Sequence, residues 1–393
     1  MKIVFFDFVI HLGGAPRSTV ALCKKLAQTD EVYVIDPYGT CPEYITKLEK
    51  ASVKVDVLLK GCKNVVIGHG GKPFKRFFGI LKQSVSFYRL RKKLIKKVLE
   101  IDPDVICTNS HKPLFFLAIS KQLKRYPIIF CARGWFRKQE LPWYARWLIK
   151  HKVKIVFAIS NATSEAIQEW GFPKEKIQVI YETIDYDEVF ELSNAPVLDE
   201  LPRVDGYPKI LVPATLIRTK GQHTAIQAVK LLKDNGYEPI LWLVGDISTG
   251  GTGSYVQYLK KLISDNNLEE NTFFLGWRED IPALMKLADF IVFPTHTEGS
   301  GRVVSEAMLL KKPVISCPSG GIRDLIIDGQ TGLLGPIDDE YALANNIKTL
   351  LKDENLAKRI VEKAYIQMFD KFSPDKHIRL VQTGLRKIIE YNI

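Results

Sequence analysis

The chain has 393 residues, 46% of them hydrophobic and 25% charged, which is enough apolar material for two domains with cores and excludes disordered and collagen-like chains. Lys plus Arg number 56 against 44 Asp plus Glu, a net of +12. The excess lies in residues 1–195, with 32 basic and 19 acidic residues, so the second half is near neutrality.

In chain order, the run Ile3 to Ile10 is eight residues long, contains Asp7 and ends without a small-residue cleavage site. It reads as a strand and not as a signal peptide. The turn HLGGAPRS follows, with Gly13 and Gly14 ahead of a helix from about Ser18. Glycine lets a backbone approach a ligand and a helix start presents unpaired amides, so the turn can cradle a phosphate, or it can be a structural turn alone. The strand-like runs EVYVID and VKVDVLL come next.

Between Asp56 and Glu100 there is no acidic residue, while Lys60, Lys63, Lys72, Lys75, Arg76, Lys82, Arg89, Arg91, Lys92, Lys93, Lys96 and Lys97 supply twelve cations. Two readings stand: a solvated helix face, or attraction to an anionic membrane surface or phosphorylated substrate at ~1 kcal/mol per cation near anionic lipid. No nucleic-acid module accompanies the charge, so nucleic acid is not expected as a partner.

The runs DVICTN, PIIFCAR, KIVFAIS and IQVIY complete the first half. Periodicity lapses from Glu182 to Pro208, and KILVPAT, PILWLVGD, TFFLGW, DFIVFPT and PVISCP resume it. Short β-branched runs alternating with amphipathic stretches signify βα units and parallel sheets. An α/β chain follows, with two doubly wound Rossmann-like domains at 1–190 and 209–373, a linker at 191–208 and a cleft between. Ligands of such sheets lie beyond the carboxyl ends of the strands.

Six cysteines at irregular spacing, without a Cys-x-x-Cys pair, read as reduced, packed thiols. No apolar stretch reaches the ~18 residues of a membrane span, so a cytoplasmic protein is expected, with any membrane contact peripheral on the inner face. The triplet Asn161-Ala-Thr163 is not expected to serve as a glycosylation acceptor in that compartment.

Three turns of the second half stand out: IRTKG, THTEGSGR and CPSGG, each just after a strand-like run. Glu298-Gly-Ser-Gly301-Arg302 opens a helix whose amides favour an anion, so Gly299 to Gly301 could hold a diphosphate. Glu298, repelled by phosphate, is better used accepting from hydroxyls. Glu306 lies five residues past Gly301, ~7.5 Å along a helix, within reach of a ribose. Lys220, with Arg218 two residues before it, could neutralise a departing diphosphate. Each has a plain alternative: a carboxylate on a helix dipole, an exposed helix glutamate, a surface cation pair.

The triplets Asp102-Pro-Asp104 and Asp185-Tyr-Asp187 invite a metal reading, but one opens a strand and the other lies in the linker. No metal site is expected: no His/Cys cluster has zinc spacing, and no Ser nucleophile elbow appears.

Together these loops resemble the retaining glycosyltransferases of family 4, which have the GT-B fold. The segment ADFIVFPTHTEGSGRVVSEAMLLKKPVISCPSGGIRDLIIDGQTGLL carries the resemblance most specifically, with Glu298 and Glu306 in its Glu, seven residues, Glu element. TLIRTKGQHTAIQAV, LWLVGD and FFLGWRED extend it, and HLGGAPRS and KIQVIYETIDYDEVF do so more loosely. The resemblance implies that Glu298 contacts donor sugar hydroxyls, Gly299, Ser300 and Gly301 the sugar and phosphates, Val304 the donor, and Glu306 the ribose. It implies that Lys220, helped by Arg218, clamps the diphosphate, which Gly13 and Gly14 approach from the other domain. Trp277 and Arg278 would lie near the base, and Ser319, Gly320 and Gly321 would line the cleft floor. His111, Arg133, Trp135 and Phe136 would be placed on the acceptor side, with core packing an equal alternative for the aromatics. A helix at 374–393 would cross back to the first domain.

Three positions depart from the family pattern. Thr215 stands where an arginine is usual, Arg133 where a histidine is usual, and Glu182-Thr183 where an Asn-Gly turn is common. The reaction implied is metal-independent, cofactor-free transfer of a sugar from a UDP- or GDP-sugar to an acceptor hydroxyl with retention. The acceptor would be a lipid-linked saccharide of cell-surface polysaccharide synthesis. The competing readings are a non-catalytic nucleotide-sugar-binding subunit and a nucleotide-sugar 2-epimerase. A nicotinamide dehydrogenase would need Gly-x-Gly-x-x-Gly, which HLGGAPRS does not provide.

Overall fold

The computed structural model describes residues 1–61, 73–135, 137, 141–182, 184–202, 206–246 and 253–391, with side chains of 73–84 and 391 aside. Lys63, Lys72, Cys62, Phe136 and Thr183 lie outside the described residues, as do the side chains of Lys75, Arg76 and Lys82. The chain divides into two compact units, Met1–Ile159 with Thr163–Thr183 and Asp375–Ile393, and Ser160–Ala162 with Ile184–Pro374.

In chain order the first unit runs through β1 (Lys2–Phe6), α1 (Gly14–Leu26), β2 (Glu31–Asp36), α2 (Pro42–Lys50) and β3 (Lys54–Val57). It continues through α3 (Pro73–Ile101), β4 (Val105–Thr108), α4 (His111–Ile119), β5 (Ile128–Ala132), α5 (Trp143–Lys152), β6 (Ile155–Ala158), α6 (Asn161–Gln168) and β7 (Ile177–Val179). The second begins with α7 (Tyr186–Asn194), β8 (Lys209–Pro213), α8 (Gln222–Asp234), β9 (Ile240–Val244), α9 (Ser254–Asp265) and β10 (Thr272–Gly276). Then come α10 (Ile281–Leu287), β11 (Phe290–Phe293), α11 (Arg302–Leu309), β12 (Val314–Ser316), α12 (Ile322–Leu325), β13 (Leu333–Leu334), α13 (Glu340–Lys352) and α14 (Glu354–Asp370). Helix α15 (Pro374–Tyr391) closes the chain.

Among the described residues the first sheet has seven parallel strands in the order β3-β2-β1-β4-β5-β6-β7, and the second six in the order β10-β9-β8-β11-β12-β13. All twelve strand-like runs of the sequence are strands of these sheets. Strand β13 escaped notice, because two leucines between glycines carry too little pattern. Residues 191–194, expected in the linker, form the last turn of α7, which Asp185 caps by accepting from the Glu188 amide at 3.3 Å.

Parallel strands are covered on both faces, which is why β5, β9 and β11 are apolar throughout and buried. The two-residue period sends Val4 and Phe6 toward a core with α3, α4 and α5, and Ile3 and Phe5 toward one with α1 and α2. Helix α15 joins the second of these cores through Ile378, Val381, Leu385 and Ile388. Gly384 lets it come close, since a Cβ there would meet Gln178 Oε1 at 2.5 Å and the Phe157 ring at 2.8 Å. In the second unit α8, α9 and α13 pack over Ile210, Val212, Leu241, Leu243 and Val292.

In each sheet the chain reverses its direction of winding beside the first strand, between β1 and β4 and between β8 and β11. Such switch points open a crevice at the carboxyl ends of the strands.

Candidate functional site

In the second unit the crevice is bounded by the loop after β8 and the loop after β11. They are laced together: the His296 amide and the Thr295 hydroxyl both donate to the Thr219 carbonyl, at 2.8 and 3.2 Å. Gly221, at φ +69°, packs against Pro294, whose carbonyl oxygen a Cβ would meet at 2.0 Å. This close approach brings Lys220 to Glu298. Lys220 Nζ donates to Glu298 Oε2 at 2.7 Å and to the Thr297 carbonyl at 3.4 Å. Both side chains are mostly shielded, at 19% and 16% exposure, which strengthens their attraction over that of a surface pair.

Glu298 also folds back through Oε1 to accept from the Gly301 amide at 3.2 Å. Gly301 begins α11 without a side-chain cap. Gly321 donates its amide to the Glu298 carbonyl at 3.0 Å, and a Cβ on it would meet the Gly299 carbonyl oxygen at 2.3 Å. The CPSGG turn thus floors the Glu298 loop, and Ser319 and Gly320 in it are buried.

One turn into α11, Glu306 accepts from Arg302 Nε at 2.7 Å, with both side chains 12% exposed. Arg218 is exposed, and its guanidinium lies 5.6 Å from the centre of the Tyr258 ring. Thr215, at the departing position, is exposed.

Two residues of the expected donor site face elsewhere. Val304 is fully buried: three residues past Gly301, it falls on the core side of α11 with Ala307 and Met308. Arg278 is turned inward, where Nε and Nη2 donate to the two oxygens of Asp280 at 2.8 and 2.6 Å and Nη1 to Asp199 at 3.2 Å. That pairing holds the Asp280 carboxyl below its usual range despite the opposing effect of burial. Its neighbour Trp277 is 61% exposed.

In the first unit, Gly13 and Gly14 are exposed at the start of α1, which has no side-chain cap. Just past β1 and β4, the Asn109 amide donates to Asp7 at 2.7 Å and to Thr19 Oγ1 at 3.1 Å. Arg133, after β5, donates to Ser18 Oγ at 2.9 Å. Burial raises the Asp7 pKa, against the opposing hydrogen bonds of Asn109 and the Phe8 amide and the charge of Arg133. Asn109 Oδ1 and Arg133 Nε are buried without a partner among the described residues. His111 starts α4 beside Tyr144, ring centres 6.1 Å apart, and burial, then Lys112, lowers its pKa. Trp135 is half-buried under the guanidinium of Arg137.

Sequence reasoning passed over Asp7 as part of a strand run, although it is the first polar residue after β1. It also missed His223, His296 and Asp338, which meet beside the Lys220 loop. His296 sits within the THTEGSGR turn, but nothing in the sequence ties Asp338 to it. The Asp-x-Asp triplets hold structure: Asp104 accepts from the Lys2 amide at 2.7 Å, Asp102 from Arg125 and Tyr126 at 2.7 Å each, and Asp185 caps α7. The five described cysteines are buried and unbridged. No described helix is long and apolar enough to cross a membrane.

Comparison with known proteins places these crevices in a family. Residues 12–188 match the model "Glycosyltransferase Family 4" and residues 198–367 the model "Glycosyl transferases group 1". The capsular polysaccharide biosynthesis glycosyltransferase CapM of Staphylococcus aureus is 25% identical over 78% of this chain and 85% of its own. A Campylobacter jejuni enzyme is 25% identical over 93% of this chain and 92% of its own, and is named GalNAc-alpha-(1->4)-GalNAc-alpha-(1->3)-diNAcBac-PP-undecaprenol alpha-1,4-N-acetyl-D-galactosaminyltransferase. Other curated relatives match over about half of their own length, from 47% to 58%. HepE of Anabaena, solved with UDP, shares the fold with a TM-score of 0.79 at 24% identity, over 98% of this chain and 100% of that one. With two models spanning most of its length and both sheets doubly wound, the chain belongs to the family 4 glycosyltransferases of the GT-B fold and bacterial polysaccharide type.

Proposed function

We propose that this glycosyltransferase moves a sugar from a UDP- or GDP-sugar to an acceptor hydroxyl with retention of anomeric configuration and without a metal or cofactor. The observation that carries this reading is the Lys220–Glu298 pair at the switch point of the second sheet, beside the uncapped start of α11. In the donor complex Lys220 exchanges Glu298 for the diphosphate and, with Arg218, neutralises the charge that grows on the leaving oxygen. Glu298, released, accepts from sugar hydroxyls. Amides from Gly299 to Gly301 hold the sugar and phosphates, Ser300 borders the sugar, Glu306 accepts from the ribose, and Trp277 lies against the base.

Transfer proceeds on one face. The bond from the anomeric carbon to the diphosphate breaks, an oxocarbenium-like state forms, the acceptor oxygen bonds to the same face, and its proton passes to the departing phosphate oxygen. Positioning and leaving-group electrostatics supply most of the acceleration. In this proposal Lys220 and Arg218 supply the positive charge that a metal would otherwise bring to the leaving group.

The acceptor in this proposal is a lipid-linked saccharide, received on the side of His111, Arg133 and Trp135. Support comes from the outer surface of the first unit, where α5 exposes Trp143 (73%), Trp147 (49%) and Tyr144 (39%) beside Lys150. Aromatic rings with cations suit the headgroup region of an anionic membrane. On α3, Arg89, Lys92 and Lys96 are exposed, whereas Lys97 pairs with Asp56 and Lys93 donates to the Leu58 carbonyl. The protein then works at the inner membrane face, in cell-surface polysaccharide synthesis. Flotation with vesicles tests this: recovery with anionic vesicles supports it, and no binding to either anionic or neutral vesicles overturns it.

Thermal denaturation against a panel of nucleoside diphosphates and their sugars, with EDTA, tests the donor site. One base at a hundred times its Kd should add ~2.7 kcal/mol, and Glu306→Ala should lose that gain. Absence of any shift would overturn the reading in favour of a scaffold with an idle crevice.

A further inference from the structure

We infer that His223, His296 and Asp338 form a binding site for one divalent first-row transition ion of the zinc class, set beside the donor loops and separate from the transfer chemistry. His223 Nε2 lies 3.0 Å and His296 Nε2 2.7 Å from the same oxygen of Asp338, Oδ1. The three ligand atoms are all within 4.8 Å of one another. Atoms bound to one zinc ion at ~2.1 Å stand ~3 to 4 Å apart, so small side-chain rotations close the set around an ion.

Two neutral imidazoles and one carboxylate suit zinc, cobalt(II) and related ions better than magnesium or calcium, which take oxygen ligands. Three protein ligands leave a position open. The site is open on one side: His223 is 6% exposed, His296 22% and Asp338 47%, so water can complete the coordination from the Asp338 side.

A second set of contacts orients the ligands. Tyr255 OH is 2.9 Å from His223 Nδ1 and accepts from the His223 backbone amide at 3.3 Å. A hydrogen bond at Nδ1 directs Nε2 at the ion, the arrangement usual for metal-bound histidine. The His296 amide donates to the Thr219 carbonyl at 2.8 Å, and Thr224 Oγ1 reaches Asp338 Oδ1 at 3.4 Å. Asp338 is held at φ +57°, in the left-handed region uncommon for a non-glycine residue.

The three ligands come from α8, from the loop after β11 that leads to Glu298, and from the segment before α13. An ion here ties those three segments together and holds the Thr295–Gly301 loop.

The test uses full-length protein freed of metal with EDTA and dialysed. Zinc binding is measured by competition with a chromophoric chelator, and cobalt(II) is added separately for its absorption spectrum. One equivalent of zinc should bind, cobalt should give a tetrahedral or five-coordinate ligand-field spectrum, and His296→Ala and Asp338→Asn should each weaken binding at least ~10-fold. Tyr255→Phe should weaken it by ~10-fold with all three ligands intact. Circular dichroism of each variant without metal establishes that it is folded, and His296→Gln serves if His296→Ala is not. Equal zinc affinity in the wild type and the folded ligand variants would overturn the proposal, as would an absence of binding. Nucleoside diphosphate stabilisation in EDTA is read on the same samples, and its loss alone would count against the donor site, not this one.

Discussion

Lys220 and Glu298 are 78 positions apart in sequence, yet Lys220 Nζ lies 2.7 Å from Glu298 Oε2. Each stands a few residues beyond a strand that borders the switch point of the second sheet, and the pair occupies the crevice that this topology opens. In the proposed donor complex the diphosphate displaces Glu298 from Lys220. Lys220→Met should lower kcat by ~10² to 10³, the loss of one preorganised donor at the leaving group. Glu298→Gln should also lower turnover, but its affinity for the bare nucleoside diphosphate should be unchanged or higher, because the competing charge is gone. Steady-state kinetics together with calorimetric nucleotide titration separates the two, and loss of nucleotide binding in Glu298→Gln would contradict a hydroxyl-accepting role for that carboxylate.

The floor beneath Glu298 has no room for a side chain. Gly321→Ala places a methyl 2.3 Å from the Gly299 carbonyl oxygen, which is backbone and yields only if the loop moves. Such overpacking costs ~1 to 3 kcal/mol. A lower Tm and weaker nucleotide-sugar binding are expected, and an unchanged melt with unchanged binding would show that the loop does not rest on this turn.

Arg278 sits 9% exposed with its guanidinium committed to Asp280. Asp280→Ala leaves that charge buried with only the exposed Asp199 to face, so a loss of ~3 to 5 kcal/mol is expected in urea unfolding. Arg278→Met with Asp280→Leu should recover most of it, since neither partner then remains unpaired.

Helix α15 is held to the first unit by a fully buried Leu385. Leu385→Ala should cost ~2 to 5 kcal/mol, measured by thermal or chemical denaturation. Gly384→Ala, forced against Phe157 and Gln178, should destabilise the same contact. If neither change moves the melt, the helix contributes little to that unit.

Asp7 gives a pH dependence of definite sign. Its carboxyl is pushed above 3.8, first by burial, so the folded state binds its proton more tightly than the unfolded state does. Its contribution is largest below pH ~3.8 and falls as pH rises toward the folded pKa. Tm measured across this window should include a falling component in the wild type that Asp7→Asn removes. Identical pH profiles would mean that the group titrates normally.

The sequence by itself determined the alternation of strand and helix, because short apolar β-branched runs and amphipathic stretches are local properties. It also marked the glycine-bearing turns after strands, and hence Glu298, Lys220 and Glu306, since the demand for backbone approach is written in residue type. Direction of the side chains was decided only in three dimensions. Val304 and Arg278 stand in or beside such turns, yet the core face of α11 takes one and Asp280 the other. The pairing of Lys220 with Glu298, the polar group around Asp7 and Asn109, and the meeting of His223 and His296 on Asp338 were likewise invisible. Each joins segments whose separation along the chain is large, and only the order of strands in a sheet brings such segments side by side.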